Sequence, residues 1–186
     1  MKKSCLKGMV TSVSVAATLL ACPAAASAAT DMFLKLGDIK GESLDAKHKG
    51  EIDVLAWSWG ESDNTTASRK NRAGSAAPDC IQDLSLTKFI DRATPDIIMD
   101  AVLGRIINQG TLTLRRAGKQ PQEYLTLTLT DVTISAYSTG GSGGEDRLTE
   151  NVTLHFQKME GTYRQQQPDG SLGVPITWTI AGAGCR

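Results

Sequence analysis

Histidine, aromatic residues and long apolar runs are all scarce in this sequence. Its 186 residues include two histidines, three tryptophans, three tyrosines and three phenylalanines. The two histidines and four cysteines do not have the spacing of a zinc site. No Gly-Lys-Ser/Thr phosphate loop and no dinucleotide-binding glycine pattern occurs. These absences predict a protein without a bound metal, cofactor or nucleotide.

The first 28 residues have the composition of a secretory signal peptide. They begin with three lysines and no acid, continue with a mostly apolar run over Met9–Ala21, and end at Ala26-Ser27-Ala28. The apolar run is too short to cross a bilayer as a helix. The pattern predicts cleavage after Ala28 and a single mature domain, residues 29–186. A lipoprotein-type site with an acylated Cys22 is the alternative.

Charge and cysteine content limit what the mature segment does. It keeps 17 basic and 20 acidic residues once the three leader lysines are removed, and this balance predicts no nucleic-acid partner. It also keeps two cysteines, Cys80 and Cys185. An exported protein with an even pair favours a disulfide between them. Two separate thiols are the alternative.

Alternating apolar residues predict a mainly β fold. The stretch 123–163 contains two long strands joined by a glycine-rich loop, and Leu125, Leu127 and Leu129 share one face of the first. After Asp131 the apolar set moves to even positions, beginning at Val132. This shift predicts a bulge or bend near residues 130–131. The second strand changes face in the same way, which suits a sheet that curls and closes.

One helix is predicted over Thr94–Gln109. Thr94 is the expected N-cap, Pro95 stands at the first helical position, and Gly110 is expected to end the helix. Five apolar residues give a stripe at helical spacing: Ile98, Ala101, Val102, Leu103 and Ile106. One helix among about seven strands indicates a β fold with a packed-on helix.

The stretch Glu51–Gly60 is apolar on both faces, and both faces of such a strand are expected to be covered. Trp57 and Trp59 share one face, and Ser58 points to the other. Two explanations stay open at this point. Either a neighbouring subunit covers the second face, or the predicted helix of the same chain does.

Candidate catalytic groups lack the partners that chemistry requires. Residues 140–144 match the hydrolase pattern G-x-S-x-G around Ser142, but a strand is predicted after them instead of the required helix. Glu145 and Asp146 are adjacent on an extended chain and point to opposite sides. A solvated loop, or ion pairs with a neighbouring subunit that involve these two acids, Arg147 and Glu150, is the expectation. The sequence favours binding or assembly over catalysis.

The segment STGGSGGEDRLTENVTLHF resembles the central region of the haemolysin-coregulated protein (Hcp) family of type VI secretion systems. DMFLKLGDIKGES, KHKGEIDVLAWSWG, QDLSLTKFIDRATPD and EYLTLTLTDV resemble the same family, so the likeness runs from about Asp31 to Ile180. It implies two antiparallel sheets closed as a small β-barrel with one helix alongside. It also implies hexameric rings that stack into a secreted tube, with no cofactor and no enzymatic activity.

The resemblance also implies partners, and the two apolar faces of the strand 51–60 predict contact residues. The expected partners are further copies of the chain, small secreted effectors in the lumen, and the tip and sheath proteins of the secretion machine. The strand 51–60 is expected to help line the ring, with Ser58 meeting cargo and Trp57 and Trp59 meeting a neighbouring subunit. The leader Met1–Ala28 departs from the family pattern. The alternative is therefore an exported binding module or effector that acts without tube assembly.

Overall fold

The described part of the chain in the computed structural model comprises residues 30–62, 80–118, 120–144, 146–167 and 169–181. These ranges contain ten β-strands and one α-helix. In chain order they are β1 (Thr30–Leu36), β2 (Ile52–Ser58), β3 (Glu61–Ser62), β4 (Cys80–Ile81), β5 (Leu84–Phe89), α1 (Thr94–Leu103), β6 (Ile107–Arg116), β7 (Gln122–Gly140), β8 (Thr149–His155), β9 (Lys158–Gln166) and β10 (Leu172–Ala181). Across these ranges, no helix has the length and apolarity needed to cross a membrane.

Six antiparallel strands close into a barrel. Their order is β7-β6-β1-β2-β5-β8, and β8 pairs back with β7 to complete the circle. The long β7 makes closure possible because its first half pairs with β6 and β9 while its second half pairs with β8. β9 and β10 continue the sheet beyond β7. The predicted mainly β, closed-barrel fold with one helix is confirmed.

The change of face in β7 occurs where the sequence predicts it. Asp131 has a φ of 53°, a left-handed conformation that Asp tolerates better than most residues. Leu127 and Leu129 before it and Val132 and Ile134 after it all point into the core. The second predicted strand is instead two strands, because β8 ends at His155 and β9 begins at Lys158.

The helix ends six residues earlier than predicted. Gly104 follows it with a φ of 61° and donates its N–H to the Ala101 carbonyl, so Gly104 and not the predicted Gly110 is the left-handed C-cap. The chain then enters β6 at Ile107. The predicted N-cap is also wrong, because Ala93 occupies that position without a side-chain hydrogen bond.

The predicted apolar stripe of the helix does not face the core. Ile97 is the buried apolar position of the helix, at 1% exposure, while Ile98 and Val102 are 37% and 77% exposed. Only Ala101 of the predicted stripe packs against the core cluster. The helix therefore sits on β7 with most of its large apolar side chains turned outward.

Candidate functional site

Small uncharged side chains cover the outer face of β2, β5, β8 and the second half of β7. Strand register places them in two rows across the four strands, because directly opposed residues of antiparallel strands share a face. One row is Ser58, Ser85, Thr153 and Ala136, and the other is Ala56, Thr87, Asn151 and Ser138. We call these eight residues the hydroxyl face. None of them is buried, so the face is open to solvent.

The residues between these rows point into the barrel. Trp57, Leu86, Val152 and Tyr137 form the intervening row, and each is buried or packs against the core cluster. Trp59 packs against the same cluster. Most of the side-chain surface of both tryptophans is therefore buried within their own chain. Ser58 lies on the opposite side, as the alternation of β2 predicts.

The second face of β2 is not covered by the helix. Ala56 and Ser58 are exposed there, and Leu55, at a bulge between Val54 and Ala56, is 39% exposed. The helix α1 packs on β7 instead. The explanation that α1 covers this face within one subunit is therefore wrong.

Hydrogen bonds between neighbouring strands hold side chains of the hydroxyl face. Thr87 Oγ1 donates to Asn151 Oδ1 at 2.8 Å. At one end of the face, His155 Nδ1 lies 2.9 Å from Asp83 Oδ1, and Ser135 Oγ donates to the other carboxylate oxygen. The eight residues thus present hydroxyls and one amide, while the ionisable residues Asp83 and His155 lie at one end and the exposed Asp53 lies farther along β2. The hydroxyl face is suited to weak hydrogen bonding and not to strong electrostatic capture.

Glu150, predicted to pair with a neighbouring subunit, is instead fully buried. Its carboxylate accepts hydrogen bonds from Lys88 Nζ, from Thr94 Oγ1 at 3.0 Å and from Tyr137 Oη at 2.9 Å. Lys88, 1% exposed, also pairs with Asp91 at 2.8 Å. Burial, and then the neighbouring Glu150, raises the pKa of Tyr137. Because Glu150 has no exposed surface, its predicted subunit contact is replaced by an internal network.

The other predicted contact residues fall in different places. Asp146 and Arg147 are exposed in the loop between β7 and β8, and the Arg147 guanidinium lies 4.0 Å from the centre of the Phe89 ring. Cys80 begins β4. Glu145 and Cys185 lie outside the described residues, so the disulfide between Cys80 and Cys185 stays a prediction.

A second polar cluster fixes the loop between β1 and β2. Phe33 and His48 stack with ring centres 4.3 Å apart. Arg115 donates hydrogen bonds to Asp31 at 2.9 Å and to Asp45 at 2.7 Å. The Arg115 hydrogen bond holds the pKa of the Asp45 carboxyl far below its usual range. The loop is thereby tied to the barrel at two points.

The described ranges offer little for catalysis or metal binding. They contain no group of three or more His, Cys, Asp or Glu side chains that could hold a metal ion. Ser142 lies in the loop between β7 and β8. A strand follows it, so the strand–turn–helix context of a hydrolase nucleophile is missing.

One residue of the hydroxyl face, Ser58, is predictable from the sequence, and its neighbours on the other strands are not. Ser58 was found because it alternates with two tryptophans. Ser85, Thr87, Asn151 and Thr153 were missed because only strand pairing brings β5 and β8 beside β2. The available signal was the repeated small polar residue at every second position of β5 and β8.

Comparisons with known proteins agree on one family. The family described as type VI secretion system effector, Hcp, matches residues 33–163. The protein hcp1 of Pseudomonas aeruginosa is 51% identical over 156 residues, covering 82% of this chain and 96% of the relative.

Solved structures give the same answer. Hcp1 from Salmonella typhimurium is 36% identical with a TM-score of 0.70, covering 82% of this chain and 95% of that one. A type VI secretion system effector from Yersinia pestis is 34% identical with a TM-score of 0.67, covering 82% and 100%. With a matching family over most of the barrel and relatives of this similarity, the chain belongs to the Hcp family of type VI secretion system proteins.

Proposed function

We propose that the mature chain forms a closed hexameric ring whose lumen is lined by the hydroxyl face. Rings of this kind would stack into the secreted tube and carry small effectors inside it. The observation that carries the proposal is the open, uncharged face across four strands of the barrel. The number of subunits in the proposed ring, six, rests on the resemblance to the Hcp family.

The chemistry of the hydroxyl face suits a passage that must hold cargo and then release it. Each hydroxyl or amide contributes only about 0.5–1.5 kcal/mol of net hydrogen bonding. Repetition around a ring adds many such contacts without any single strong one. The small side chains also leave the channel wide. In the tube, the further partners would be the tip and sheath proteins of the machine.

A second candidate function is favoured by the leader Met1–Ala28. A chain exported through the general route, cut after Ala28, would reach the periplasm or medium without passing through a cytoplasmic tube. It would then act as an exported module with the same barrel. The two functions differ in assembly, because the ring requires a hexamer and the module acts as a monomer.

The position of the hydroxyl face is tested by protection from a bulky reagent. Ser58→Cys is compared with Glu160→Cys, an exposed position on β9, in a background with Cys80 and Cys185 changed to Ser. Both thiols are labelled with a biotin maleimide and then offered streptavidin. We expect the label at residue 58 to be shielded inside the ring and the label at residue 160 to bind. Equal binding at both positions contradicts a lumen-facing Ser58.

A further inference from the structure

The sheet continues past the barrel as β9 and β10, and the apolar side of this continuation is open. Strand register aligns Trp178 with Gly161, Gly161 with Leu127 and Leu127 with Leu112. Since Leu127 and Leu112 point into the core, the same face of β10 continues the core side of the sheet. We call Tyr163, Val174, Ile176 and Trp178 the extension face.

Exposure on β10 rises with distance from the barrel. Ile180 packs against the core cluster, whereas Trp178, Ile176 and Val174 are 36%, 60% and 84% exposed. β10 contains no charged residue. An uncharged strand whose apolar side increasingly faces water is typical of a surface that a partner covers.

The helix α1 carries a second open apolar surface. Ile98, Met99, Val102 and Leu103 are all at least 37% exposed, and we call them the helix face. The helix has two charged residues, Asp96 and Asp100, and Asp100 pairs with Arg105. A helix with apolar residues on both its inner and outer sides is ordinarily covered on both.

The two surfaces do not cover each other within one chain. In the described ranges β10 pairs with β9 alone, and α1 packs on β7. Both faces lack charged side chains, so neither would lose the hydration of an ion on contact. Asp96 borders the helix face and the exposed Arg164 follows Tyr163 on β9, which gives opposite charges at the two rims.

We propose that the helix face of one subunit packs against the extension face of a second copy of this chain. This inference rests on the proposed ring and names the contact that closes it. Because the two faces are different surfaces, the contact is head-to-tail, and repetition of a head-to-tail contact generates a ring when the rotation closes. Each subunit then contacts one neighbour through its helix face and the other neighbour through its extension face.

Two single variants and their mixture test the pairing. Ile176→Glu places a charge on the extension face, and Val102→Glu places one on the helix face. Both positions are exposed, so the fold is expected to survive. Each variant alone should be monomeric by light scattering. Mixed in equal amounts, they should form a 1:1 heterodimer and no ring, because only one intact pair of faces remains.

The control is Thr177→Glu, which puts the same charge on the opposite side of β10 and should leave the hexamer intact. If either single variant remains a hexamer, the pairing is overturned and the ring stands. If both variants are monomers but their mixture forms no heterodimer, the pairing of these two faces is also overturned. A monomeric wild-type chain instead overturns the proposed ring itself.

Discussion

Lys88 and Glu150 form an ion pair sealed inside the barrel, with their side chains 1% and 0% exposed. The two residues lie on the adjacent strands β5 and β8, directly opposite each other. Thr94 Oγ1, at the start of α1, donates to the same carboxylate. The pair therefore joins the helix to the two strands that carry much of the hydroxyl face.

Removing Lys88 should lower the free energy of unfolding more than neutralising Glu150 does. Lys88→Met leaves a buried carboxylate with only hydroxyl donors, and we expect a loss of about 3–5 kcal/mol in the free energy of unfolding. Glu150→Gln should cost less, because Asp91 still pairs with Lys88. Chemical denaturation at one protein concentration measures both. A larger loss for Glu150→Gln than for Lys88→Met would contradict this network.

Asp45 should make the protein sensitive to acid. Its folded pKa is depressed mainly by the hydrogen bond from Arg115, so its stabilising contribution is present above the unfolded pKa of about 3.9 and is lost as the pH falls. Asp45→Asn should be less stable near neutral pH and should lose less stability between about pH 5 and pH 2. Thermal unfolding across that range compares the two proteins, and parallel pH profiles would count against the assignment.

Gly161 should be required by the position of Trp178. A Cβ atom added at Gly161 would clash with the Trp178 ring, so Gly161→Ala should lower the free energy of unfolding by about 1–3 kcal/mol through overpacking. The same change should cost far less in a Trp178→Ala background. Gly140→Ala, where a Cβ meets nothing within 4 Å, is the matched control. Equal costs of Gly161→Ala in both backgrounds would show that the ring of Trp178 is not the obstacle.

Ser58→Arg should separate cargo binding from folding. Ser58 is exposed on the outer side of β2, so a charged side chain there should leave the thermal midpoint and the hexamer unchanged. One arginine from each subunit would narrow and charge the proposed lumen, and retention of a copurified effector should fall. Ser58→Ala serves as the control and should keep its cargo. Unfolding or dissociation of Ser58→Arg would place Ser58 in a packed interface.

Local patterns predicted the barrel well. The alternation of Leu125, Leu127 and Leu129 and its shift after Asp131 are direct consequences of strand periodicity and a bend, so they were readable from neighbouring residues. The helix boundary was not. Apolar residues continue from Ile98 through Ile106, and this periodicity concealed Gly104 as the C-cap. The outward-facing apolar residues of the helix have the same spacing as a buried stripe, so the sequence alone does not distinguish the two.

Long-range pairing accounts for what the sequence did not reveal. Glu150 follows a run of charged loop residues and was therefore predicted at the surface, but its partner Lys88 lies 62 positions away in the chain. The hydroxyl face has the same origin. Its rows depend on which strands are neighbours, and alternation within β2 alone identified only Ser58.

Light scattering of the purified mature chain, residues 29–186, tests the central claim most directly. We expect a particle of six times the protomer mass, and we expect it to persist when the protein is diluted to micromolar concentrations. The protomer mass at every concentration, with the barrel folded by circular dichroism, would contradict the ring and the tube function with it.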